Sequence, residues 1–148
     1  MELLKKIDVT GVSVTALSLN EQVEIMSEWA QQRLSKTVCV ANVHMLIESR
    51  RNARLRSALS KADIVTPDGM PLVWGMRALG LSTQDRVAGM DIFVGACKLC
   101  VENDVSIYLL GSTQKTLNAM QRRLSEDFPA LKVAGVESPP FGPIQGTD

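Results

Sequence analysis

One aspartate stands where a short apolar stretch gives way to an apolar helical pattern, in Thr66-Pro67-Asp68-Gly69. A carboxylate at such a junction has two ordinary uses. It can accept hydrogen bonds from the first N–H groups of the following helix, or it can act as a general base that removes the proton of a sugar hydroxyl. The residues alone favour the capping role, because aspartate caps are so frequent.

Two further segments carry groups that bind anions. In Gly111-Ser112-Thr113, the glycine lets the backbone approach a phosphate, and the helix that follows offers N–H donors. The rest of a dinucleotide or Walker motif is missing, so a simple turn and a phosphate site are equally supported. Arg86, in Asp85-Arg86-Val87-Ala88-Gly89, could clamp a diphosphate. A surface ion pair with Asp85 or another neighbour is the simpler interpretation.

Other reactive side chains are given structural interpretations. His44 is the single histidine and lies beside Asn42, but a lone histidine is more often structural than catalytic. Cys97 and Cys100 have CxxC spacing within a helical pattern and lack the four ligands of a closed zinc site. The basic stretch from Arg50 to Arg56 is expected to be a solvated helix face, and a phosphate or membrane role is the less favoured alternative.

The elements that must position these residues alternate between strand and helix patterns. This order predicts an α/β protein, a Rossmann-like parallel sheet with helices on both faces. Such sheets bind ligands at the carboxyl ends of their strands, where Asn42, Asp68, Gly111 and the segment from Gly135 to Phe141 are expected. Strands are predicted at about 8–14, 37–43, 64–66, 105–110 and 131–136, and helices at about 18–34, 44–62, 70–79, 90–102 and 114–127.

Composition excludes several classes of protein. The 148 residues carry 16 basic and 16 acidic side chains, which disfavours nucleic-acid binding by phosphate neutralisation. No run reaches the ~18 apolar residues of a membrane-spanning helix, and the N-terminus lacks the pattern of a secretory signal. We therefore expect a single α/β domain over residues 1–148, located in the cytoplasm.

Five segments together resemble the bacterial WecG/TagA/CpsF family of glycosyltransferases, in the family's order and spacing. The resemblance implies transfer of N-acetylmannosamine, its uronic acid or a related sugar from a UDP donor to an undecaprenyl-diphosphate-linked acceptor in cell-surface polysaccharide synthesis. It also implies inversion at the anomeric carbon, with no DxD metal site and no cofactor. The segments are Val40–His44, Ala62–Met70, Arg86–Asp91, Tyr108–Ser112 and Gly135–Phe141.

The resemblance also implies roles for individual residues. Asp68 matches the family's proposed catalytic base, which reverses the preference for a cap. Arg86 matches an arginine that holds the diphosphate or the acceptor phosphate. The residues expected to bind substrate are Asn42, His44, Thr66, Gly69, Gly111, Ser112 and Gly135.

Two features depart from the family pattern. Some members carry threonine where this chain has Val40. The family also continues for roughly another hundred residues, about the remainder of one α/β domain, with a Pro-Lys-Gln-Glu motif and a basic region that meets the membrane. We therefore expect a shortened chain whose peripheral contact with the inner face of the membrane depends on the missing part, and which can form a homo-oligomer. The alternatives are a non-enzymatic nucleotide-binding module and a fragment without independent function.

Overall fold

The computed structural model describes residues 4–142. Residues 1–3 lie outside this range, as does the stretch 143–148, so the expected shortening of the chain falls outside the described residues. The chain divides into two compact units, Met1–Ala96 and Cys97–Asp148, and each is described by itself. Within residues 4–142, no helix has both the length and the apolar composition needed to cross a membrane.

The first unit holds a two-stranded parallel sheet, an antiparallel hairpin and the helices around them. Val38 pairs with Ile64 and Ala41 with Pro67 in the parallel sheet, which brings the carboxyl ends of its two strands together. The elements are β1 (Lys6–Val9), β2 (Val12–Thr15), α1 (Leu19–Gln31), β3 (Val38–Ala41), α2 (Val43–Ser49), α3 (Ala53–Lys61), β4 (Ile64–Pro67), α4 (Met70–Ala78) and the start of α5 (Gly89–Glu102).

The N-terminal segment is a hairpin, so the expectation of one strand over 8–14 was wrong. β1 and β2 pair antiparallel around Thr10 and Gly11, which both have positive φ. Two such residues form the tight turn whose twist matches that of the flanking strands. The Asp8 carboxylate accepts the N–H of Gly11 at 3.1 Å and stabilises the turn.

A side chain connects this hairpin to the parallel sheet. The Thr15 Oγ1 accepts a hydrogen bond from the N–H of Val65 at 3.0 Å, and both residues are completely buried. β4 pairs with β3 along its other edge. A side chain of β2 therefore satisfies a buried backbone donor on the edge of β4 that does not face β3.

The helices of the first unit follow the sequence expectations in part. A capping box at Ser18 and Glu21 begins α1, and the hydrogen bonds from Ser18 hold the pKa of Glu21 below its ordinary value. The single helix predicted over 44–62 was wrong: it is α2 and α3, because Asn52 accepts the N–H of Leu55 and begins a new helix. The apolar helix α4 is only partly buried, since Trp74 remains 59% exposed.

A carboxylate fastens the amino ends of β3 and β4. Asp63 accepts hydrogen bonds from the Lys36 ammonium at 2.8 Å and from the N–H of Thr37 at 2.9 Å. The Lys36 bond and then the Thr37 bond hold the pKa of Asp63 below its ordinary value of 3.8. Asp63 thus has a structural role at the amino ends of β3 and β4, away from the strand ends where ligands are expected.

The second unit contains the end of α5, β5 (Ile107–Leu110), α6 (Gln114–Asp127) and β6 (Val133–Glu137). β5 and β6 pair in parallel, with a register irregularity between Ile107 and Tyr108. α6 starts at Thr113, whose hydroxyl accepts the N–H of Thr116. Short parallel sheets alternating with helices confirm the Rossmann-like α/β fold predicted from the sequence.

Replacing Thr15 with valine should destabilise the protein by about 1–3 kcal/mol, because the buried Val65 N–H would lose its acceptor. Urea denaturation measures the free energy of unfolding. Thr15→Ser keeps the oxygen and serves as the matched control. A Thr15→Val variant as stable as wild type would show that the hydrogen bond does not contribute to the free energy of unfolding.

The contribution of Asp63 should depend on pH. Its folded-state pKa is lowered, so its stabilisation is present above the unfolded pKa and is lost as the pH falls through the folded value. Asp63→Asn should cost about 1 kcal/mol at pH 7, a charge-assisted bond discounted for partial exposure.

Urea denaturation at pH 7 and pH 3 tests this dependence, and the difference between wild type and variant should narrow at pH 3. Lys36→Gln removes the largest cause of the lowered Asp63 pKa. The difference in unfolding free energy between this variant and wild type should therefore also be smaller at pH 3 than at pH 7. A difference of equal size at both pH values would contradict the assignment.

Candidate active site

The carboxyl ends of β3 and β4 bring several predicted site residues to one rim of the first unit. The N–H of Asp68, directly after β4, donates to the carbonyl of Ala41 at 2.8 Å. Gly69 has φ 122°, a conformation that favours glycine, and a Cβ built there would lie 3.9 Å from the Cβ of Asn42. Asn42, Asp68 and Gly69 are therefore neighbours, as expected for residues that follow adjacent parallel strands.

The carboxylate of Asp68 does not cap the helix that follows it. The N-cap of α4 is Gly69, and no side chain bonds to that helix end. Instead, the Asp68 Oδ2 accepts the N–H of Gly89, the first residue of α5, at 3.4 Å. Its Oδ1 lies 4.0 Å from the Arg86 Nε. With 36% of its side chain exposed, the carboxylate is held in place and remains accessible from solvent.

A backbone hydrogen bond docks the Arg86 loop against the end of β4. The N–H of Val87 donates to the carbonyl of Pro67 at 2.9 Å, and the Val87 side chain is buried. Asp85 pairs with Arg77 at 2.9 Å. Arg86, the next residue, does not pair with Asp85. Among residues 4–142, the carboxylate with which Arg86 pairs is that of Asp68.

Arg86 also lines a cleft of about 570 Å³ in the first unit. The other walls come from Lys5, from Ala16 to Glu21 at the start of α1, and from residues 81 and 83–85. About half of the Arg86 side chain is exposed. Arg86 thus borders both the Asp68 carboxylate and an open cleft whose other charged residues are Lys5, Glu21 and Asp85.

Two further residues lie on the α5 side of the parallel sheet. Val40 and Thr66 are register partners and so point to the same face. A Cβ built on Gly89 would lie 3.3 Å from the Val40 Cγ1, so α5 approaches β3 closely at this point. The Thr66 hydroxyl is completely buried and has no hydrogen-bond partner among the described residues.

Asn42 and His44 take part in the start of α2. The Asn42 Oδ1 accepts the N–H of Met45 at 3.0 Å and caps the helix. His44 is the second residue of that helix, and its side chain is exposed. The expected contacts of both residues with substrate remain predictions.

In the second unit, the glycine turn meets the end of β6. Gly111 has φ 115° and donates its N–H to the carbonyl of Glu137 at 2.9 Å. Ser138 donates its hydroxyl to the carbonyl of Ser112 at 2.7 Å. The turn therefore uses the first of its N–H groups within the fold, and phosphate binding there remains a prediction.

Gly135 was expected to bind substrate at the carboxyl end of the last strand, and it lies in the middle of β6. A Cβ at this position would lie 2.5 Å from the Tyr108 Cε2, so the ring of Tyr108 covers the glycine. Partial desolvation and a hydrogen bond to Glu137 raise the pKa of the Tyr108 hydroxyl. The structural need for glycine at 135 is therefore close approach of an aromatic ring.

Metal-ligating and thiol groups are dispersed. Residues 4–142 contain no cluster of three His, Cys, Asp or Glu side chains arranged to hold a metal ion. Cys39, Cys97 and Cys100 are free thiols, and burial raises the pKa of each.

The hydrogen bond between the Gly89 N–H and the Asp68 carboxylate was not predicted from the sequence, although both residues lie in segments that were expected to bind substrate.

Comparison with known proteins identifies similar sequences among transferases. Three relatives bear the name N-acetylglucosaminyldiphosphoundecaprenol N-acetyl-beta-D-mannosaminyltransferase. The Bacillus spizizenii protein is 26% identical over 107 residues, which cover 72% of this chain and 42% of the relative. The Bacillus subtilis protein is 22% identical over the same shares. A Staphylococcus aureus protein is 23% identical over 131 residues, which cover 87% of this chain and 52% of the relative.

The chain thus spans about half the length of these curated relatives. A family model described as "Glycosyl transferase WecG/TagA/CpsF family" matches residues 7–148. The match extends over both compact units and includes every predicted site residue. On this match over nearly its whole length, the chain belongs to the WecG/TagA/CpsF family of glycosyl transferases.

Proposed function

We propose that the chain is the base-bearing part of an inverting glycosyltransferase. It moves an N-acetylmannosamine-type sugar from a UDP donor to an acceptor sugar linked to undecaprenyl diphosphate. The family match and the names of the relatives support the transferred sugar and the lipid-linked acceptor. An acceptor of this kind would keep the enzyme at the inner face of the membrane.

The position of the Asp68 carboxylate carries the proposal. A cap of the following helix would bond to the start of α4, which receives no side-chain cap, and the bond that Asp68 accepts from the first N–H of α5 is long, at 3.4 Å. Asp68 stands at the carboxyl end of a buried strand, where ligands of parallel sheets bind, and is partly exposed. A base needs this combination of fixed position and access to the substrate.

The reaction proceeds by direct displacement. Asp68 removes the proton of the acceptor hydroxyl as that oxygen attacks the anomeric carbon from the side opposite the leaving group. The new glycosidic bond forms while the bond to UDP breaks, and the electron pair leaves with the diphosphate. The proton ends on the Asp68 carboxyl group, and the configuration at the anomeric carbon is inverted.

Arg86 offsets the charges on both sides of this reaction. Before transfer, its guanidinium lies 4.0 Å from the Asp68 carboxylate. During transfer, negative charge grows on the departing UDP, and a fixed cation beside the cleft lowers the energy of that state. Lys5 on the same cleft adds a second cation for the diphosphate.

Asp68→Asn should lower turnover by roughly 10²–10⁴, the usual contribution of a general base. Affinity for the UDP-sugar should stay near wild type, because the base acts on the acceptor. The measurement is transfer from UDP-N-acetylmannosamine to undecaprenyl-diphosphate-linked N-acetylglucosamine, in the chain together with any residues encoded after Asp148. Melting temperature is recorded in parallel, and the asparagine oxygen can still accept the Gly89 N–H.

Asp127→Asn is the matched control, since Asp127 is also a partly exposed aspartate in an ion pair, with Arg123, but it does not line the cleft. Its turnover should stay within a few-fold of wild type, as expected of an exposed ion pair. Near-normal turnover in folded Asp68→Asn would refute the base. UDP binding without any transfer in the wild type would favour the nucleotide-binding module instead.

Transfer should also continue in excess chelator. The sequence has no DxD pair at a strand end, and residues 4–142 offer no three-ligand cluster. Arg86 and Lys5 would then do the work that a bound cation does in other glycosyltransferases. Turnover measured with and without EDTA checks this, and a strict requirement for added magnesium or manganese would overturn it.

A further inference from the structure

Four arginines lie within seven residues where α2 ends and α3 begins. Arg50 is the C-cap of α2 and Arg51 follows it, while Arg54 and Arg56 lie near the start of α3. All four side chains are exposed. We call these residues, together with Ile47, the arginine corner.

Among residues 4–142, no carboxylate forms an ion pair with an arginine of the arginine corner. The ion pairs found there all involve other cations. Residues 43–61 contain five lysines and arginines and one glutamate, although the whole chain balances 16 basic and 16 acidic side chains. Positive charge is therefore concentrated on this surface and compensated elsewhere.

The charge placement does not serve the local fold. The first turn of α3 contains no acidic residue, and Arg54 lies there, at the positive end of the helix dipole. Cations at that end destabilise the helix, whereas acidic residues would stabilise it. An external anionic surface would offset both the helix dipole and the arginines.

An apolar side chain lies among the cations. Ile47 is 56% exposed on α2, three residues before Arg50, the C-cap of that helix. At this spacing the two side chains lie on the same face of the helix end. An exposed apolar side chain beside cations is a combination found on protein surfaces that meet a membrane interface.

We propose that the arginine corner binds the surface of an anionic phospholipid membrane. The choice of a lipid over a nucleic acid rests on the proposed function, whose acceptor is lipid-linked. α2 begins next to Asn42 at the candidate active site and is about 10 Å long. Contact at the corner would thus keep the site close to the membrane.

Co-sedimentation with vesicles tests the proposal. The wild-type chain is mixed at low ionic strength with vesicles of phosphatidylcholine containing phosphatidylglycerol, and with vesicles of phosphatidylcholine alone. Binding should require the anionic lipid and weaken as salt is raised. Each arginine near an anionic surface contributes about five-fold in partitioning, so Arg51→Gln/Arg54→Gln should bind about 25-fold more weakly.

The matched control is Arg122→Gln/Arg123→Gln, which removes two adjacent exposed arginines from α6. It should bind within a few-fold of wild type, and circular dichroism confirms that both variants fold. Equal binding to both vesicle types, no binding of the wild type, or equal losses in the two double variants would overturn the proposal. Binding to RNA but not to vesicles would also overturn it.

These vesicles contain no undecaprenyl lipid, so the result is independent of sugar transfer. Asp68→Asn should bind the anionic vesicles like wild type even when its turnover is lost. A failed vesicle experiment would leave the base assignment standing. Failure of the base assignment would leave vesicle binding unchanged.

Discussion

Strand β4 is buried along its whole length, and water cannot satisfy its backbone groups. The backbone groups on its two edges have different hydrogen-bond partners. β3 pairs along one side, the Thr15 hydroxyl accepts the Val65 N–H, and the Pro67 carbonyl accepts the Val87 N–H. The last of these bonds holds the loop that carries Arg86. The geometry around Asp68 is therefore a consequence of satisfying one short, completely buried strand.

Much of the fold follows from local sequence signals. Helices α1, α5 and α6 and strands β3 to β6 were predicted because each has a strong local sequence pattern. The hairpin was missed because Thr10-Gly11 is a weak turn signal inside a run of β-branched residues. The break between α2 and α3 was missed because the helical pattern continues through Asn52, and only its capping bond separates the helices.

The sequence predicts the candidate site better as a set of residues than as a geometry. Parallel pairing requires that Asn42 and Asp68 follow neighbouring strand ends, so their proximity could be expected. The direction of the Asp68 carboxylate could not, since its partner Gly89 is 21 residues away in the chain. In the same way, only the fold shows that Asp85 pairs with Arg77 and that Gly135 lies under the Tyr108 ring.

The close approach of Gly89 to Val40 links the evolution of two distant positions. A Cβ at 89 would lie 3.3 Å from the Val40 Cγ1, so a side chain there requires Val40 to move by a few tenths of an ångström or to be smaller. In a lineage that retains glycine at 89, position 40 can therefore keep a branched side chain on β3 while α5 stays close to the sheet.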